Sequence, residues 1–168
     1  MVGKADPVVN KRGHVLNAAL LAIGVGYILE PSGDVPTFEM IATSGLPIVL
    51  GALLPDVDTA FGKHRKTLHN LPVLAAAYAW PIVFGTLQYV WIGVLTHYVL
   101  DVMGSKRGIA LFYPFSEEEF GLPVGVTTSS KYADVMTVLV TAVELAAVFL
   151  VVRYQLPIGN LSETAETA

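Results

Sequence analysis

His97 and Asp101 stand four apart in Leu95-Thr96-His97-Tyr98-Val99-Leu100-Asp101. On a helix this spacing puts an imidazole and a carboxylate on one face, close enough to share an ion. Imidazole nitrogen and carboxylate oxygen suit zinc or manganese, and neither requires the thiols that a chain with no cysteine lacks. A buried hydrogen-bonded couple is the plain alternative. It leaves an ionised Asp101 at the edge of an apolar segment with no basic residue at helical spacing, a difficulty that a bound cation removes.

Leu53-Leu54-Pro55-Asp56-Val57-Asp58 ends an apolar run with a proline and two acids. Pro55 lacks an N–H and restricts Leu54, so a helix is expected to stop or kink there and release both carboxylates toward the interface. Solvated acids at a helix C-terminus would oppose the helix dipole, and a cation reverses that sign. The connection His64-Arg65-Lys66-Thr67-Leu68-His69-Asn70 adds two histidines. His69, beside Asn70 and Pro72, is expected to face inward, whereas His64 reads equally as an interfacial residue. Arg65 suits bidentate phosphate binding as well as an ordinary basic loop. His14 follows Lys11-Arg12-Gly13. Glu144 is a lone acid in a long apolar stretch, read as a helix-packing hydrogen-bond group or one facing a polar cavity, and it stays outside the site.

These residues must be carried by apolar elements. Of 168 residues, 54% are hydrophobic and only 14% charged, against an ordinary charged share of about 25%, and the mean hydropathy is +0.60. Disorder is excluded. A formal charge of −4 offers no positive field for a nucleic-acid partner, and zero cysteines remove disulfide scaffolds, thiolate catalysis and zinc fingers. Apolar stretches fall at 14–30, 40–55, 71–86, 88–103 and 133–152; a bilayer crossing needs roughly 20 residues. Residues 71–100 contain no Asp, Glu, Lys or Arg and are broken by Pro81 and by Gly85-Thr86-Leu87-Gln88, which predicts a helical hairpin. The expected architecture is an all-α integral membrane bundle of about five transmembrane or membrane-embedded helices over 1–157, with a polar tail at 158–168. No small-residue cleavage site follows Leu29, so the first stretch does not read as a signal peptide.

Lys and Arg set the orientation. Lys4, Lys11, Arg12, Lys63, Arg65, Lys66, Lys106, Arg107 and Lys131 share one side, and only Arg153 lies on the other. The N-terminus is therefore expected in the cytoplasm and the C-terminus outside. His14, Asp56, Asp58, His69, His97 and Asp101 then all fall at cytoplasmic ends of spans, although the orientation was drawn from Lys and Arg alone.

The succession His14, Gly51-Ala52-Leu53-Leu54-Pro55-Asp56-Val57-Asp58, His64-Arg65 with His69, His97-x-x-x-Asp101, Gly108 and Tyr113-Pro114-Phe115 resembles the prokaryotic inner-membrane family of membrane-bound metal-dependent hydrolases over about residues 12–125, which implies an inner (cytoplasmic) membrane location. Members usually carry Thr-His-Ser where this chain has Leu68-His69-Asn70, and often Gly in place of Lys66. That family is distantly similar to all-helical zinc-dependent phospholipases C and single-strand nucleases. The resemblance implies that Asp56, His69, His97 and Asp101 form one metal site and that His14 shares Asp101 in a second. No histidine follows His97, so one or two divalent ions are expected, zinc foremost, with manganese or magnesium as alternatives.

The leading expectation is a membrane-embedded hydrolase cleaving a phosphoester of a lipid or lipid-linked substrate at the cytoplasmic face. Asp58 or His64 would accept the proton, and Arg65 with Lys106 or Arg107 would hold the phosphate. The alternatives are a non-catalytic membrane protein with a structural or regulatory metal, or a metal or proton transporter. Transport ranks last because its polar residues should occur at several depths, whereas here they gather on one side.

Overall fold

The structure is a computed structural model that describes residues 11–127 and 130–154. The 158–168 tail, Lys4 and the N-terminus lie outside the described residues. Five α-helices make up the fold: α1 (Lys11–Leu29), α2 (Val35–Leu53), α3 (Leu71–Phe84), α4 (Val90–Val99) and α5 (Ala133–Arg153). Among the described residues there is no strand, only two isolated bridges. The fold is all-helical, and α1, α2 with its extension to Ala60, and α5 are each long and apolar enough to cross a membrane. Helices α3 and α4 are shorter and equally apolar.

Helix α2 starts five residues before the expected 40, because Pro36 stands in its first turn, where a missing N–H and a fixed φ cost nothing. The expected break at Pro81 does not occur. The ring is accommodated inside α3, and the helix ends at the other expected break, Gly85, left-handed at φ 65°. Pro55 does end α2, but it opens a 3-10 helix (Pro55–Ala60) rather than releasing the acids to the interface. Asp56 is 4% and Asp58 0% exposed; both turn into the protein, for reasons given below.

Helices α1 and α2 pack as a hairpin, with α4 against α2 and α5 against α1. Their common core is Ala18, Leu21, Ala22, Val25, Ile48, Ala52, Tyr89 and Ile92. Helices α2 and α4 meet through glycine, since a methyl on Gly51 would strike the Val90 carbonyl oxygen and one on Gly93 the Ile48 carbonyl oxygen. Such backbone contact is how small residues bring membrane helices together. Helix α5 is apolar outward and polar inward. Its buried positions are Thr137, Val140 and Thr141, while Val135, Leu139, Val143 and Phe149 stand exposed. Helix α3 has no fully buried residue, sets Leu74 and Ala77 against Val94, Tyr98 and Ile109, and displays Trp80, Ile82, Val83 and Phe84. In water these faces would be large apolar patches; a lipid surround removes that cost.

Candidate metal centre

One end of the bundle collects the ionisable residues. His14 comes from the first turn of α1. His97 ends α4, and Asp101 sits in the π-helical turn Leu100–Gly104 that continues it. The 3-10 helix after α2 supplies Asp56 and Asp58. The loop to α3 supplies His64, Arg65 and His69. Asn70 ties that loop down: its Oδ1 caps α3 at Val73 N (3.0 Å) and its Nδ2 donates to Lys66 O and Thr67 O. The Tyr98 hydroxyl donates to Leu68 O (2.6 Å) and accepts from Asn70 N (3.1 Å). Tyr98, absent from the residues singled out in the sequence, thus holds His69 in register with His97.

The five residues His14, Asp56, His69, His97 and Asp101 come together. His97 Nε2 lies 3.4 Å from Asp101 Oδ2, 3.8 Å from Asp56 Oδ1 and 3.1 Å from His69 Nε2. His69 Nε2 lies 3.5 Å from Asp101 Oδ2, and His14 Nε2 3.7 Å from Asp101 Oδ1. The His14 and His97 rings stack at 3.8 Å. All five are buried.

Hydrogen bonding decides which nitrogens are free. His97 Nδ1 is 2.7 Å from the Ala52 carbonyl, which can only accept, so Nδ1 carries the proton. His69 Nδ1 donates to the Asp58 carboxylate at 3.0 Å. In the neutral imidazoles both Nε2 atoms then present lone pairs, toward each other and toward two carboxylates. Burial holds His69 below its ordinary pKa, and His97 adds to this against the bond to Asp58, which keeps the imidazole neutral near pH 7. Asp56 Oδ1 and Oδ2, His14 Nδ1 and His64 Nε2 are buried without a hydrogen-bond partner. Converging lone pairs and orphaned carboxylate oxygens are what a divalent cation satisfies. The donors fall into two groups of three, His14 with His97 and Asp101, and Asp56 with His64 and His69.

The remaining sequence candidates occupy other positions. Asp58 is enclosed, with Oδ1 taken by His64 Nδ1 (3.1 Å) and Oδ2 by His69 Nδ1 and Leu68 N. It orients two imidazoles, as carboxylates behind metal-binding histidines do, and these donors explain its burial. Arg65 pairs through Nη2 with Asp101 Oδ1 at 3.3 Å, while Nη1 donates to Ser105 Oγ at 3.0 Å and Gly108 O at 3.3 Å. Asp101 thus has a basic partner, which helical spacing could not reveal because it comes from a distant loop. Arg107 pairs with Glu119, and Lys106 is exposed.

A pocket reaches His14, Arg65 and Asp101 from between α1, the start of α5 and the segment around Val126, with Leu100 and Met136 on an apolar side. One turn deeper, Asn17, Thr96, Thr141 and Glu144 form a second polar cluster. The polar residues therefore do not stop at one end of the bundle, contrary to the sequence expectation, because Asn17 and Thr96 are neutral and were not counted there.

This all-helical, lipid-facing bundle with a polar centre at one end is a membrane protein. Residues 9–159 match the family described as YdjM inner membrane protein, and the chain belongs to that family. No curated protein and no solved structure matches it.

Proposed function

We propose that the chain is a five-span, metal-dependent hydrolase that cleaves a phosphoester of a lipid or lipid-linked substrate at the cytoplasmic face. The observation carrying this reading is the convergence of the His69 and His97 Nε2 lone pairs on the Asp56 and Asp101 carboxylates. His14, His97 and Asp101 would hold one divalent ion and Asp56, His64 and His69 another, zinc being favoured by the mixed nitrogen and oxygen donors. Such an ion, when bound, lowers the pKa of water to about 7 and polarises phosphoryl oxygens.

The protein's own groups supply the rest. Asp58 fixes the His69 tautomer and turns its Nε2 inward. His64 Nδ1 is likewise held by Asp58 at 3.1 Å, which leaves its Nε2 for the second ion. Arg65 holds Asp101 and the 105–108 segment and orients the site, and Arg107 is paired with Glu119, so phosphate binding falls to exposed Lys106. The pocket beside Leu100 and Met136 suits a substrate whose phosphate meets the site while its apolar part stays in the bilayer.

A structural ion is the second reading, favoured by the complete burial of His69 and His97. Turnover of phospholipid and lipid-linked phosphoesters by purified protein separates the two. The hydrolase reading expects activity that is lost with chelator and in Asp101→Ala while the bundle stays folded. Stability lost with chelator, and no turnover under any divalent ion, supports the structural reading instead. Reporter fusions near Ser32 that report the outer side support the proposed orientation, and a cytoplasmic signal there overturns it.

A further inference from the structure

Glu144 lies close to the middle of the 21-residue α5, about 16 Å from its start at 1.5 Å per residue, which is roughly half of a 30 Å hydrocarbon core. Its partners come from two other helices. Asn17 Nδ2 donates to Glu144 Oε2 at 2.9 Å, and Thr96 Oγ1 lies 2.7 Å from both carboxyl oxygens. Asn17 and Thr96 are 1% and 2% exposed. Among the described residues no basic side chain pairs with Glu144. An ionised carboxylate there would be a buried charge without a counter-charge.

Counting protons decides its state. Asn17 Nδ2 directs its two hydrogens at Thr141 Oγ1 and Glu144 Oε2, both at 2.9 Å, and the Thr141 hydroxyl donates to Thr137 O. Thr96 Oγ1 has one hydrogen for three acceptors, Asn17 Oδ1 at 2.6 Å and the two Glu144 oxygens. If that hydrogen goes to Asn17, the contact with Glu144 needs a hydrogen from the carboxyl. Turning the amide end for end places Asn17 Oδ1 against Glu144 Oε2 with nothing between them, unless Glu144 again supplies it. Either way the cluster is one proton short if Glu144 is a carboxylate and complete if it is a carboxylic acid.

We propose that Glu144, Asn17 and Thr96 form a proton-binding site within the bundle, with Glu144 as the carboxyl that carries the proton. This does not depend on the hydrolase reading. The titratable groups on the elements around it are His14 on α1, His97 on α4 and Asp101 on the π-helical turn, and Arg12 and Asp134 pair with each other at the helix ends. Asn17 follows His14 by three residues on α1, which sets the cluster one turn from the polar end of the bundle.

The test uses the full chain in phosphatidylcholine vesicles at neutral pH, treated with dicyclohexylcarbodiimide, an apolar reagent whose C=N bond takes up the O–H of a carboxylic acid. Mass spectrometry should locate the adduct on Glu144, and E144Q should lose it. The infrared carbonyl band of a protonated carboxyl should be present in the wild type and missing from E144Q. If Glu144 is unmodified, or if the two spectra agree in that region, the proposal is overturned. Should E144Q fail to fold, Thr96→Val replaces it: loss of a hydrogen-bond partner must shift the band, and an unshifted band overturns the proposal. A carboxylate serving only to clamp the helices gives neither signal.

Discussion

His69 and His97 face each other Nε2 to Nε2 at 3.1 Å, while the Nδ1 of each is committed to an oxygen acceptor. With both rings neutral, no proton remains for the space between them. Two buried lone pairs beside the Asp56 and Asp101 carboxylates repel one another, at a cost comparable to unsatisfied buried polar groups, about 1–3 kcal/mol each. A divalent cation turns each repulsion into a bond. The purified protein is therefore expected to carry a stoichiometric divalent metal, and His97→Ala to lose at least one equivalent. Elemental analysis checks this; a His97→Ala protein with unchanged metal content would remove the metal reading.

Asp58 separates an orienting role from a proton-accepting one. Both of its oxygens are occupied by His64, His69 and the Leu68 amide. In Asp58→Asn the amide nitrogen cannot accept from an imidazole N–H, so one histidine must change tautomer or rotate. Metal affinity is expected to fall about 10–100-fold, the usual effect of losing such a partner, with the helices intact by circular dichroism. A general base would instead show undiminished metal affinity with turnover lost.

Arg65 is expected to matter more for stability than for substrate binding. It is the basic partner of buried Asp101, and its backbone is left-handed at φ 65°, a conformation costly for a residue with a Cβ. Arg65→Met leaves Asp101 without its guanidinium, which for a buried pair costs about 3–5 kcal/mol. Metal should recover part of this loss by supplying positive charge at the same carboxylate. Denaturation in detergent with and without metal measures the difference. Equal destabilisation in both states would show that Asp101 and the metal do not interact.

The residues of the centre are legible in the sequence because their chemistry is conspicuous in so apolar a chain. Lys and Arg alone sort His14, Asp56, His69, His97 and Asp101 to one end. What is not legible arises from partners far apart in the chain. The Arg65 to Asp101 pair joins a loop to a distant π-helical turn, Asp58 is buried by donors six to eleven residues on, and Tyr98 reads only as an apolar position until the Leu68 carbonyl reaches it. The Asn17, Thr96 and Glu144 cluster is hidden differently: Glu144 stands out as a lone acid, but Asn17 and Thr96 are unremarkable alone and only helix packing brings them to it. The start of α2 is missed because Pro36-Thr37-Phe38-Glu39 resembles a loop, although proline suits a first helical turn.

Gly93 links the packing of the bundle to the geometry of the site. It sits where α4 touches α2 backbone to backbone, four residues before His97, and a methyl there would strike the Ile48 carbonyl oxygen and crowd Ala52 N. The Ala52 carbonyl is the acceptor that fixes the His97 tautomer. Gly93→Ala must therefore push α4 away from α2, at a cost of about 1–3 kcal/mol from overpacking, and lengthen the bond that holds His97 Nδ1. Both stability in detergent and metal affinity are expected to fall. Gly85→Ala is the contrasting case: the position is left-handed but has open space around it, so the strain stays local to the turn after α3. Metal affinity unchanged in Gly93→Ala, or reduced as much in Gly85→Ala, would show that the centre does not depend on the close approach of α2 and α4.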